Sequence, residues 1–375
     1  MRLKNIGKTI TIYILANSEN GGRFSYDKII DEFNKYSVNN NLNITLAMNF
    51  LSKENSTVGV TDYESSVEYI LSKRSDKYDI IFFDNIFTSK FAPDFLILDD
   101  YIPKEYIDMY KNSKIFQTCY YKNKLVAFPF SFDVTALYYN VKLLQKYNKV
   151  IPKTWDELLE TGKYILNKER ENNNTNLIGY NGLLHDTEIG TCSVYEFIYS
   201  FRNEHDSPFP DLQSQNIKDA LKKLKQIKNE ISSDFVFKSN LYYTFENIFN
   251  ENFIFAKLWY ASKFHDTYDY TILPGSKSGI SGSIIGGYSV GINKHITDEK
   301  KEASVTAFKF IISSYIQKIL IIERRLNSPL SSLYDDKEVC SVVDCPFYKS
   351  LQVVTRPNSS TYNYDINQIC DSAYL

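Results

Sequence analysis

Hydrophobic positions in the first ninety residues switch between two periods, and the switching predicts an ordered series of elements. Ile10, Ile12 and Ile14 recur at every second position, so residues 9–16 read as a β-strand. From Tyr26 to Tyr36 the spacing changes, and Ile29, Ile30 and Phe33 share one face of a helix. Leu42 to Leu46 reads as a second strand and Asp62 to Lys73 as a second helix, with Val67, Ile70 and Leu71 inward. Tyr78 to Phe83 reads as a buried apolar strand. This β-α-β-α-β order predicts a mostly parallel sheet with helices on both faces. Ligands of such sheets gather beyond the carboxyl ends of the strands, so Asp84-Asn85, directly after Phe83, is well placed.

The middle of the chain carries sharper local signals. Pro129 ends an apolar run, and lacking an N–H it belongs at a strand end or edge. Asp133 follows among aromatics, just before the apolar run Ala136-Leu137-Tyr138-Tyr139. Thr154 with Glu157 forms a capping box, which starts a helix at Trp155 and assigns Trp155 itself to packing. The Asn-rich stretch from Lys168 to Asn176 reads as a surface loop. A helix from Ile217 to Ile231 places Leu221, Leu224 and Ile227 on one side and a solvated lysine face on the other. Asp298 to Ile322 reads as one long helix capped by Thr297, its apolar positions three and four apart.

Composition narrows the class. A length of 375 residues predicts two or three domains, and 43% hydrophobic with 23% charged residues is ordinary for a globular chain. Net charge of −2 and a pI near 6.2 give no basic footprint for nucleic acid. No run reaches the ~18 apolar residues that span a bilayer. Arg2, Lys4 and Lys8 ahead of Ile10 to Ala16 resemble a very short signal sequence, but the alternation favours a first strand.

Chemistry-bearing residues are scattered. Cys119, Cys192, Cys340, Cys345 and Cys370 form no metal pattern; Cys340 and Cys345 suit a small disulfide loop, and free buried thiols suit the set equally. His185, His205, His265 and His295 lack metal-ligand spacing, so neither a metal nor a cofactor is expected. Gly275-Ser276-Lys277-Ser278-Gly279 has lysine where a nucleophile elbow needs serine, and it reads as a flexible loop. Sequons at Asn43, Asn55, Asn173 and Asn358 permit glycosylation without showing it.

From about residue 9 to residue 365 the chain resembles the extracellular solute-binding proteins of family 1, and within them the trehalose/maltose-type binding proteins of ABC importers. The matching pieces run in order. Phe83-Asp84-Asn85-Ile86-Phe87, with Phe91-Ala92-Pro93 and Leu96-Ile97-Leu98, resembles an aspartate-bearing strand end and its loop. Phe128 to Tyr139 is similar to a crossover strand with Asp133 at a sugar-contacting position. Thr154-Trp155-Asp156-Glu157-Leu158, the segment of Glu188 to Glu196, Trp259, and Gly286-Gly287-Tyr288 follow. Arg325 to Pro329, Leu333 to Asp336 and Arg356-Pro357 complete the set.

What the resemblance implies is an α/β, bilobal, periplasmic-binding-protein-like II fold that closes on a sugar in an inter-lobe cleft. Lobe 1 would be 1–130 plus 289–328 and lobe 2 would be 131–288 plus 329–375, hinged near Ser131, Gly286 and Pro329. The implied ligand set is Asp84, Asp133, Glu188, Trp259, Gly286, Gly287, Tyr288 and Arg356. Ionised Asp84 and Asp133 each accept two hydroxyl hydrogen bonds, although capping is the plainer role for Asp84. Trp259 stacks on a pyranose or packs a core, Gly286-Gly287 serves ligand, hinge or turn, and Arg356 forks onto hydroxyls or pairs with an acid.

The implied protein is a non-catalytic, extracellular, cell-surface or periplasmic monomer. It delivers or signals a carbohydrate to a membrane transporter or a receptor's transmembrane domain. Two departures stand out: Tyr288 replaces a tryptophan, and the chain stops soon after Cys370 where relatives continue, as an excised ectodomain module of a larger receptor would. The catalytic rival is a glycoside hydrolase, which needs two carboxyls about 5 Å or about 6.5–9.5 Å apart.

Overall fold

The computed structural model describes residues 8–17, 22–51, 63–262, 265–323 and 326–357. Asp62, Asn55, Arg325, Asn358 and Cys370, named above, lie outside them. In chain order the strands are β1 (Ile10–Asn17), β2 (Ile44–Leu51), β3 (Ile80–Asp84), β4 (Tyr120–Tyr121), β5 (Lys124–Leu125), β6 (Phe128–Pro129) and β7 (Asp133–Asn140). They continue with β8 (Ile178–Tyr180), β9 (Phe253–Trp259), β10 (Tyr268–Thr271), β11 (Ser283–Gly286), β12 (Tyr288–Ile292) and β13 (Val353–Thr355). The chain divides into two compact units, Met1–Phe132 with Gly286–Cys345, and Asp133–Ile285 with Pro346–Leu375.

In the first unit the sheet order is β2-β1-β3-β12-β6. β1 runs parallel to β2 and β3, while β12 is antiparallel to β3 and β6. The alternation in β1 has its physical counterpart: Ile12 and Ile14 are fully buried and Tyr13 between them is 40% exposed. The helices Gly22–Asn39 and Tyr63–Ser72 make the crossovers, burying Ile29, Phe33, Val67 and Leu71 against the sheet. β3 is buried along Ile80, Ile81, Phe82 and Phe83, as a central strand covered on both faces must be.

Two sequence expectations fail here for identifiable reasons. The long helix is two, Asp298–Ile311 and Ser314–Ile322, bent by 47°. Ser313 stands extended at φ −71° and ψ 150°, its hydroxyl donates to Phe310 O at 2.7 Å, and the Tyr110 hydroxyl donates to Ile312 O at 2.7 Å. Polar side chains thus satisfy the carbonyls that a continuous helix would have used.

The third passage between units lies after Cys345, not at 328/329. Residues 329–345 stay with the first unit because Tyr334 packs edge-on against Phe132 at 6.5 Å and donates to Ser328 O at 3.1 Å. Lys318 also reaches Asp336 at 2.8 Å. A Cys340–Cys345 disulfide, with Cα atoms 5.3 Å apart, closes the end of this segment. Cys119 and Cys192 are buried free thiols.

The second unit has the path β13-β11-β7-β9-β8, with β10 on β7. β7 is antiparallel to β9 and β10, β8 is parallel to β9, and β13 is parallel to β11. Its core gathers Leu137, Tyr139, Trp155, Leu158, Phe197 and Phe255. The capping box is complete: Glu157 N donates to Thr154 Oγ1 at 3.1 Å, and Thr154 N to Glu157 Oε2 at 3.1 Å. Trp155 beneath it is 2% exposed, lies 4.3 Å from the Phe197 ring, and donates to Ser200 Oγ at 2.8 Å.

Here too the polar pattern misleads twice. The expected loop from residue 168 begins inside the helix Trp155–Glu171, where Lys146 and Tyr147 both reach Glu169 at 2.6 Å and draw it inward. Gly275 to Gly279 is tied down, since Trp155 N donates to Gly275 O at 3.0 Å and Ser276 N to Ser200 O at 2.9 Å. Thr154→Ala removes the cap bond and should lower stability by about 1 kcal/mol, read as a fall in thermal melting temperature with the fold retained.

Candidate ligand-binding site

On the first unit, Asp84, Gly287 and Tyr288 come together at one strand end. Asp84 closes β3 and sits directly opposite Tyr288, the first residue of β12. Asn85 N donates to Gly287 O at 3.0 Å, which closes the corner. Asp84 Oδ1 accepts from Ile86 N at 3.1 Å, so its carboxylate caps the short turn Asn85–Phe87. Tyr288 is 8% exposed, and its carbonyl accepts from Phe130 N at 2.7 Å and Ser131 N at 3.2 Å. Burial drives the Tyr26 phenol well above its ordinary range, with the charge of Tyr288 a second contributor.

Gly287 has a backbone reason to be glycine. Its φ is +127°, and a Cβ there would stand 2.2 Å from Ser131 O and 2.6 Å from Phe132 Cα. The missing side chain makes room for the chain at 131–132, and no L-residue adopts that φ without strain.

On the second unit, β7 and β9 bring Asp133 and Trp259 to the same sheet face. Thr135 pairs with Trp259, and Tyr260 N donates to Val134 O at 2.7 Å. Residues two apart on a strand share a face, so Asp133, Thr135, Lys257 and Trp259 line up together. Asp133 is the diagonal neighbour of Trp259, a position about 7–8 Å away in an antiparallel ladder. Asp133 is exposed and Trp259 half-buried, which leaves a carboxylate and an indole at the edge of one face.

The third pair lies after β8 and after β13. Glu188 opens the helix Glu188–Tyr199, and its Oε1 lies 2.8 Å from Arg356 Nη1. The arginine side chain is 7% exposed and the glutamate 49%. Arg356 is thus paired with an acid, one of the two roles open to it.

A family model of bacterial extracellular solute-binding proteins matches residues 57–341. The chain belongs to this family. A curated relative from Deinococcus radiodurans, a probable ABC transporter-binding protein, is 28% identical over 268 residues, which cover 66% of this chain. The match spans 62% of that relative's length. Among solved structures, maltose-bound MalE3 of T. maritima is similar over 97% of this chain and 95% of its own, at TM-score 0.73 and 20% identity. A cyclic α-maltosyl-1,6-maltose binding protein from Arthrobacter globiformis is similar over 96% and 91%, at TM-score 0.74 and 14% identity. The GacH receptor of Streptomyces glaucescens follows at TM-score 0.68 and 16% identity, over 97% and 92%. The expected periplasmic-binding-protein-like α/β fold is the fold these likenesses share.

Within this solute-binding chain the eight expected residues fall into three groups rather than one list. Asp84, Gly286, Gly287 and Tyr288 gather around the β3–β12 corner, Asp133 and Trp259 share the β7–β9 face, and Glu188 pairs with Arg356. Four further side chains lie beneath Asp133 and Trp259. Glu196 and Lys257, 2% and 3% exposed, form an ion pair at 2.7 Å, and Thr135 Oγ1 donates to Glu196 Oε2. Ser283 Oγ accepts from Thr135 N at 2.9 Å. A lysine inside the apolar run Phe253–Trp259 and a glutamate between Tyr195 and Phe197 were the sequence signals for that pair.

Among the described residues no group of three or more His, Cys, Asp or Glu side chains is placed to hold a metal ion. His205 meets Asp206 and His295 meets Asp94, each at 2.7 Å.

Gly287→Ala adds a Cβ into the 131–132 backbone at an unfavourable φ. Its expected cost is on the order of 2 kcal/mol or more, seen as a lower denaturation midpoint, whereas Gly279→Ala, with nothing within 4 Å of its Cβ, should cost less.

Proposed function

We propose that this chain binds a mono- or oligosaccharide or a sugar alcohol without transforming it and hands it to a membrane transporter. The observation that carries the reading is the pairing of exposed Asp133 with half-buried Trp259 on one sheet face. A carboxylate accepts two hydroxyl hydrogen bonds in a charge-assisted geometry, and an indole offers a flat apolar surface beside it. Family membership supports the same reading, and so do the sugars named for the similar structures: maltose, a cyclic maltosyl-maltose and acarbose.

Asp84 serves the reading less well. Its Oδ1 is engaged by the Ile86 amide, so it supplies at most the remaining acceptor capacity of its carboxylate. Glu188 and Arg356 enter as a unit, because the ion pair holds each in place for the other. Closure of the two halves over the ligand, implied by the family resemblance, is part of the same proposal. So is work outside the cytoplasm, where this family acts.

Thermal-shift screening against mono-, di- and oligosaccharides and sugar alcohols tests the proposal directly. A true ligand at a hundredfold excess over Kd stabilises by about 2.7 kcal/mol. Asp133→Ala should abolish that shift and leave the unliganded melting temperature nearly unchanged, because Asp133 is exposed at a strand start. A variant that responds like the parent removes Asp133 from the site. Mass spectrometry of incubated oligosaccharides should find them intact; cleavage products would make the chain a glycoside hydrolase.

A further inference from the structure

Beneath the Asp133–Trp259 face lies a buried polar node whose members come from one helix and three strands. Glu196, on the helix Glu188–Tyr199, projects Oε2 toward β7 and β11: it accepts from Thr135 Oγ1 and from Ile284 N at 2.9 Å. Its other oxygen, Oε1, lies 2.7 Å from Lys257 Nζ on β9. Lys257 Nζ also donates to Ser193 Oγ, one helical turn before Glu196. Asn181 fixes the Lys257 backbone on both sides, donating to its carbonyl and accepting from its amide at 2.8 Å each. Ser283 Oγ accepts from Thr135 N at 2.9 Å and donates to Thr135 O at 3.1 Å.

The placement of this node relative to the candidate ligand residues is specific. Thr135 lies two residues after Asp133 on β7, and Lys257 two residues before Trp259 on β9, all on the same face. Glu196 therefore grips the immediate same-face neighbour of each. Ile284, its third partner, lies on β11, which ends at Gly286 where the chain passes to the first unit. Replacing such a pair by apolar residues is often neutral for stability, so stability alone does not account for burying two charges here.

We propose that Glu196 is a positioning residue: its buried carboxylate ties the start of β7, through Thr135, to β11, through Ile284, and thereby sets where Asp133 stands beside Trp259. The proposal rests on the carbohydrate reading for its ligand arm and on geometry alone for its strand arm. The acceptor oxygen Oε2 is what holds Thr135 and Ile284; Lys257, on the other oxygen, keeps the carboxylate aimed.

Three variants separate the acceptor from the charge. Glu196→Gln/Lys257→Met removes the ion pair but keeps an oxygen facing Thr135 and Ile284. It should bind the sugar found in the screen within about threefold of the parent, with the Ile284 amide still protected from hydrogen exchange. Glu196→Leu/Lys257→Met keeps the volume and loses the acceptor. It should lose at least about tenfold in affinity and exchange the Ile284 amide at least about tenfold faster, while amides of β8 keep their protection. Thr135→Val, the milder change, should shift both readouts in the same direction if the Leu variant does not fold.

Parent-like affinity and exchange in the Leu double variant, or in Thr135→Val where that variant does not fold, would overturn the proposal. Equal losses in the Gln and Leu double variants would do so too, since charge rather than the acceptor would then be responsible. If no sugar shifts the parent at all, the carbohydrate reading fails by itself, and the exchange measurements alone decide whether Glu196 holds the strand ends.

Discussion

The first sheet is complete only when the chain returns to it. β12 lies between β3 and β6, antiparallel to both, although the whole body of the second unit separates it from them in sequence. That pairing puts Tyr288 opposite Asp84, brings Gly287 against the backbone at 131–132, and sets where the chain leaves and re-enters the unit. Local helices and strands of the first ninety residues supply a parallel β-α-β frame, but its third strand stays an open edge until residues 288–292 arrive. Long-range pairings of this kind cost loop-closure entropy before they are rewarded, so the two units are covalently interleaved and neither is contributed by one continuous stretch.

The second unit solves a different problem, that of placing polar chemistry at the end of a buried sheet. β7 and β9 are buried almost throughout, yet one face must end in an exposed carboxylate and a half-buried indole. The buried network below them is charged, and burying charge is tolerated only with full pairing. Glu196, Lys257, Thr135, Ser283, Ser193 and Asn181 pair among themselves and with strand backbone, joining three strands to the helix that opens with Glu188. The same helix thus presents Glu188 to Arg356 at its start and Glu196 to the sheet two turns on.

The two aspartates that the family resemblance brings forward stand in different surroundings. Asp84 holds the Ile86 amide and closes a turn, a local duty that any acid at a strand-to-helix junction performs. Asp133 stands exposed at the first position of β7, where the strand's own hydrogen bonds begin after it. Tyr288, in place of a tryptophan, is nearly enclosed and offers little ring face.

Element types came from the sequence by itself wherever the signal was local. Period-two and period-3.6 spacings located β1 and the helices packed on it, and an apolar run located β3; Thr154 and Glu157 started a helix at Trp155; Pro129 ended a strand. Each involves residues within a few positions of one another, which the order of amino acids records directly. Partners brought together from far apart were decided only by tertiary structure. The break at Ser313 depends on the Tyr110 hydroxyl, the inward turn of Glu169 on Lys146 and Tyr147, and the glycine at 287 on the 131–132 backbone. Arg356 found Glu188, and Lys257 found Glu196, from well-separated parts of the second unit's chain. A buried charge announces in sequence that it needs a partner, but which one it meets is a matter of how the strands are ordered in space.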